Sequence, residues 1–236
     1  MERADTLSAK TILNLMHSFG LDSSRTDKLM DQAISKYESD PDRFDLSDLS
    51  HLAAKTLQYY EDKHLRTIFK NKSAEFLEPT FEEVQQDLQA TVDRVNSIFV
   101  KAYSLKDQMN LLDLKQLFDC VRVFNDIVCE CAGLNTSEVL AKYPACTYLL
   151  EAIFENTMVL KQTLELPDIS LIVKGLSVVA EVQSEESVEF VKEIKYRLKK
   201  ALEKHRPRGL IDDMKRNLSR LKDHQVLYKT FRTILD

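Results

Sequence analysis

Glycine and proline are scarce in this sequence, with four and five residues in a chain of 236. Average usage would supply about 16 and about 12. Strand proteins need both residues for their turns, so this scarcity points to long helices joined by short connections. A chain of this length buries roughly 70–75% of its unfolded surface, and its core needs no disulfide or metal staple. A hydrophobic content of 44% and a charged content of 30% argue against disorder. The expectation is an all-α fold in one continuous domain over 1–236. It would be an array of about ten antiparallel helices, either a helical repeat of the α-solenoid kind or an irregular helical bundle.

Apolar residues at steps of three and four place the individual helices. Ile12, Leu15, Met16 and Phe19 mark one over 8–19, stopped by Gly20, and a second runs from a cap at Asp22 or Ser23 through Tyr37. After a polar joint, SDPDRFDLSD, Ser47 caps a helix carrying Leu49, Leu52, Ala53, Leu57 and Tyr60; another spans 62–76. Residues 80–83 read TFEE, a capping box from Thr80 to Glu83. Behind it, Val84, Leu88, Val92, Val95, Ile98, Phe99 and Ala102 define a helix of about 25 residues, roughly 37 Å long. Further helices are expected over 111–131, ended by Gly133, and from NTSEVL to Pro144, which must kink or break the helix, with 145–163 continuing it. The next opens at Pro167 and Asp168 and runs through Val182. Ser184 starts a basic helix whose Phe190, Ile194, Leu198, Ala201 and Leu202 face inward. Arg206-Pro207-Arg208-Gly209 reads as a turn, and 210–235 as one or two closing helices.

One helix entrance is written twice. Residues 45–52 are DLSDLSHL and residues 165–172 are ELPDISLI, with a weaker copy, LLDLKQL, at 111–117. Asp48 and Asp168 stand where a first-turn acid meets the positive end of a helix dipole, and the Leu and Ile positions begin a core stripe. The aligned copies lie 65 and 55 residues apart, an irregular period. They fit either entrances that each start a helical layer or the common use of Asp and Ser at helix starts.

The stretch DLSDLSHLAAKTLQYYEDKHLRTIF resembles the loose helical repeats of organellar octotricopeptide and FAST kinase-like proteins. In those repeats the first helix begins with Leu-Ser or Asp-Leu and carries small residues, as Ala53 and Ala54 do here. The resemblance covers 1–78 and 165–204, and the chain departs from it in its irregular spacing. It implies a mitochondrial or plastid protein that binds RNA or serves as a subunit of a large organellar assembly.

Motifs of catalysis are missing. Gly20, Gly133, Gly175 and Gly209 are too scattered for a phosphate-binding loop, and neither Gly-x-Ser-x-Gly nor His-Glu-x-x-His occurs. Glu61-x-x-His64 matches half of a di-iron carboxylate site, with Asp48-x-x-His51 the nearest second half, but solvated polar residues beside a core stripe are the better explanation of both. His17, His205 and His224 have no evident partners in the sequence. Cys120, Cys129, Cys131 and Cys146 lack structural-zinc spacing and read as buried thiols in a reducing compartment. No catalytic residue, metal or cofactor is expected. The most apolar stretch, 169–180, is short and contains Lys174, so no transmembrane segment is expected. The start, MERADTLSAK, has no apolar core of a signal peptide. The expected compartment is intracellular, on the mitochondrial matrix side or in the cytoplasm.

Charge is the strongest functional signal. Residues 192–236 hold 14 Lys/Arg and 6 Asp/Glu, a net of +8, and the preceding 191 residues hold 19 and 32, a net of −13. The basic surface comprises Lys192, Lys195, Lys199, Lys200, Lys204, Arg206, Arg208, Lys215 and Arg216. Three roles fit it: pairing with the acidic body of the same chain, docking other protein subunits or anionic lipid head groups, and tracking RNA phosphates. The resulting expectation is a non-catalytic scaffold or accessory subunit of a larger complex. The alternative is an organellar RNA-binding repeat protein that uses the same surface.

Overall fold

The computed structural model of the chain describes residues 11, 12, 15, 24–62, 81–182, 184–221 and 224–236, with side chains excepted at 24–27 and 81–84. Among the described residues there are eleven α-helices and no strand. They are α1 Ser24–Ser39, α2 Leu46–Tyr60, α3 Phe81–Ser104, α4 Leu111–Ala132, α5 Thr136–Lys142, α6 Pro144–Leu160, α7 Leu166–Lys174, α8 Leu176–Val179, α9 Glu185–Lys204, α10 Arg208–Leu218 and α11 Gln225–Leu235. The fold is all-α, as the scarcity of glycine and proline requires. Most of the helix expected over 8–19, its stop at Gly20, the caps at Asp22 and Ser23, the helix over 62–76 beyond Asp62, and the Thr80 cap lie outside the described residues.

The helices form two rows. In the first, α2 packs on α4, α4 on α7 and α7 on α10; in the second, α3 packs on α6, α6 on α9 and α9, more lightly, on α11. Each first-row helix also packs on a second-row partner: α2 on α3, α4 on α6, α7 on α9, α10 on α11. The short helices α5 and α8 sit in the links inside the second and third pairs. One hydrophobic cluster runs through both rows, from Ile12 to Leu235. Its largest members bridge helices. Phe99 meets Phe124 edge-on at 5.5 Å between α3 and α4, and Phe154 stacks on Phe190 at 4.5 Å between α6 and α9. Such ring pairs contribute about 0.5–1.5 kcal/mol beyond their buried area.

The three entrance copies head three consecutive helices of the first row: α2, α4 and α7. The same register carries the same burial in each, with Leu49, Leu114 and Ile169 at one core position and Leu52, Leu117 and Ile172 three residues on. A helix start leaves its first N–H groups without intrahelical partners. In α2, Asp45 Oδ1 accepts the Asp48 N–H at 2.8 Å. In α4, Asn110 Oδ1 accepts from the Leu112 and Asp113 N–H groups, and the Asn110 N–H donates back to Asp113. In α7, the Glu165 N–H donates to Asp168 Oδ2 at 2.9 Å. The cap of α2 is therefore Asp45, two residues before the expected Ser47.

The entrances are also joined sideways. Ser50 Oγ of α2 donates to Gln116 Oε1 of α4 at 3.2 Å, and Lys115 Nζ of α4 donates to Asp168 Oδ1 of α7 at 2.8 Å. Asp113 and Asp168 are nearly buried, at 3% and 8% exposure. Burial pushes the Asp113 carboxyl above its ordinary range, against the pull of the bond from Asn110.

Two expected elements divide differently. The helix read from Pro167 through Val182 breaks at Gly175 into α7 and α8. Gly175, the cap at the end of α7, lies against α4: a Cβ there would sit 2.5 Å from the buried ring of Phe118. The turn read over Arg206–Gly209 is shorter, because Pro207 occupies the cap and Arg208 and Gly209 already belong to α10. Pro144 starts α6 and Gly133 ends α4 with φ 66°, as their chemistry predicts.

Gly175→Ala should destabilise the protein by about 1–3 kcal/mol through overpacking against Phe118. Denaturant unfolding measures this, and adding Phe118→Leu should recover part of the loss. An unchanged midpoint for the single variant would show that the approach of α7 to α4 is not this close.

Candidate partner-binding surface

Helix α9 is built by separation of faces and of ends. Phe190, Ile194, Leu198 and Leu202 form its buried stripe, and Lys195, Lys199 and Lys200 stand exposed on other faces. Along its axis the acids come first. Ser184 Oγ caps the start by accepting the Ser187 N–H at 3.1 Å, Glu185 and Glu186 fill the first turn, and Lys204 ends the helix. That order suits the helix dipole and gathers the lysines at one end.

The nine expected surface cations fall into three groups. Three are held within the C-terminal region itself: Arg206 donates to the Leu235 carbonyl at 3.2 Å, Lys215 pairs with Asp236 at 2.6 Å, and Arg216 pairs with Asp213. Lys200 lies over the ring of Tyr196, with its Nζ 5.9 Å from the centroid. Among the described residues Lys192, Lys195, Lys199, Lys204 and Arg208 have no acidic partner within 4.0 Å. The role in which these cations pair with the acidic body is thus not the one they adopt. Among the described lysines and arginines of this region, the one that reaches the body is Arg220, which meets Asp126 at 2.6 Å.

Two grooves follow one face of α9: the first lies in its seam with α11, and the second lies between the start of α9 and residues 179–182 and touches α11 at Leu227. One, of about 520 Å³, is lined by Lys195, Lys199, Arg206 and Glu203, with Leu202 and Ile234 at its apolar wall and Thr230 at its edge. The other, of about 880 Å³, is walled by Val182, Val188, Val191 and Leu227, with Glu185, Glu189 and Lys192 beside them. Val188 and Val226 are large apolar side chains left 54% and 80% exposed nearby.

No protein-family model, curated protein or solved structure matches the chain.

A third groove, of about 740 Å³, lies along α2, α4 and α7, and four of its five charged side chains, all but Glu61, are paired. Lys115 pairs with Asp168, and Arg122 pairs with both Asp119 and Asp126. The half-site reading at Glu61 and His64 falls partly outside the described residues, since His64 is not described. His51 uses Nδ1 on the Ser47 carbonyl at 2.8 Å. Among the described residues no cluster of three or more His, Cys, Asp or Glu side chains could hold a metal ion. Burial pushes all four thiols upward, Cys146 to about 12, which suppresses the thiolate needed for nucleophilic chemistry. No helix among the described residues is long and apolar enough to cross a membrane.

The cations were readable from the sequence by their spacing. The α11 wall, Leu227, Thr230 and Ile234, was not, because nothing local in the sequence says which helix lies beside α9.

Replacing Lys192, Lys195, Lys199, Lys204 and Arg208 together by Ala should leave the denaturation midpoint within experimental error. Substitutions of exposed residues without partners change stability little. A clear drop would show that these charges hold the fold.

Proposed function

We propose that the protein is a non-catalytic helical-repeat scaffold, an accessory subunit of a larger protein complex that it enters through its basic C-terminal surface. The observation that carries this reading is the set of five unpaired cations on α9 and the start of α10, in a molecule that elsewhere pairs many of its charges. The two-row packing supports the repeat reading, since successive helix pairs stack with their entrances in one row. The resemblance to organellar helical repeats supports a mitochondrial setting. Opposite signs on the body and the end suit a subunit that bridges two neighbours, because charge complementarity fixes orientation and partner choice.

Affinity purification of the tagged full chain from its native cells, with and without ribonuclease, tests the proposal. The expected result is one stoichiometric set of proteins that survives ribonuclease. Loss of all partners after ribonuclease would overturn the scaffold reading and assign the basic surface to RNA.

A further inference from the structure

We infer that the seam between α9 and α11 is a docking trough for an acidic amphipathic helix of a partner protein. The inference rests on the scaffold reading and names the partner's chemistry. The two grooves along α9 adjoin end to end. On α9, Lys192 lines one groove and Lys195, one turn later, lines the other; on α11, Leu227 and Thr230 make the same passage. The seam is open because α9 and α11 touch only lightly, whereas the other neighbours in their row, α3 with α6 and α6 with α9, pack extensively. From Val188 to Glu203 the trough follows α9 for about 22 Å, about four helical turns.

The trough has two chemically distinct ends. At one, Val188, Val191 and Leu227 offer an apolar wall under the carboxylates of Glu185 and Glu189. At the other, Lys195, Lys199 and Arg206 stand beside Leu202 and Ile234, with Glu203 the single acid among them. Lys195 and Lys199 have no acidic partner of their own, so they call for anionic groups. The apolar walls call for an aliphatic stripe on the same ligand.

A helix meets both demands when it lies antiparallel to α9 with carboxylates in its first turns. Its acids then face Lys195, Lys199 and Arg206 while remaining at its own positive end, and its later turns lie over the valines. A nucleic-acid strand fits less well. Running along the seam, it would pass Glu185 and Glu189, and the exposed aromatic available for stacking on α9 is Tyr196 alone. A bilayer surface cannot enter a concave trough.

The test uses the full-length protein and a fluorescein-labelled synthetic helix of about 20 residues. The peptide carries Glu in its first two turns and Leu at steps of three and four. Fluorescence anisotropy should show saturable binding. K195E/K199E in the protein should weaken it at least tenfold, and V188D, in the apolar wall, should weaken it measurably. A peptide of the same composition with its Leu stripe scrambled should bind at least tenfold more weakly. All three substituted side chains are exposed, and a circular dichroism melt checks that each variant is folded. Should one not fold, amide chemical shifts of the unsubstituted protein replace it and should move only along α9 and α11.

Absence of saturable binding, binding indifferent to both variants, or tighter binding of oligouridylate or phosphatidylserine vesicles than of the peptide would overturn the inference. If the peptide fails while the native partners still co-purify independently of ribonuclease, the scaffold reading stands and this seam is not its contact.

Discussion

Three of the four first-row helices, α2, α4 and α7, depend on satisfying their helix starts with side chains of the entrance itself. A helix presents its first amides without partners, and an unpaired buried amide costs about 1–3 kcal/mol. At α4 and α7 the third residue, Asp113 or Asp168, is itself nearly buried. Each closes the entrance by accepting the cap residue's own N–H. Asp168 then takes Lys115 from the neighbouring helix, and Ser50 reaches Gln116 one helix earlier. The entrance of α7 thus both starts a helix and fixes it to the previous one, and the entrances of α2 and α4 are joined through Ser50 and Gln116.

The helical class, most helix boundaries and the recurrence of the entrance were legible in the sequence because each rests on local chemistry. Pro144 lacks an N–H and opens α6, Gly133 adopts the left-handed conformation, and the stripe of α9 follows helical spacing. The caps of α2 and α10 were misplaced by one or two residues, and the larger misreading rests on a neighbour distant in the chain. Gly175 breaks a helix under the ring of Phe118, 57 residues away in sequence. The pairing of the entrances is likewise invisible in a linear reading. Lys115 carries no mark that its partner is Asp168, and Gln116 none that it faces Ser50.

Candidate-site legibility divides the same way. Clustered lysines show in sequence as composition, but whether they are paired is a property of the fold. Arg206, Lys215 and Arg216 find partners within the C-terminal region, and Lys192, Lys195, Lys199, Lys204 and Arg208 do not. That difference turns a net charge into a surface with a location and a direction. Its setting at the lightly packed α9–α11 seam places the unpaired charge next to the exposed valines.

Hydrogen–deuterium exchange of the chain, isolated and within its native assembly, tests the account most directly. Docking at the basic end predicts added protection in the C-terminal half of α9 and in α11, with α2, α4 and α7 unchanged. Protection gained along the α2, α4 and α7 row, with none at α9 and α11, would contradict it.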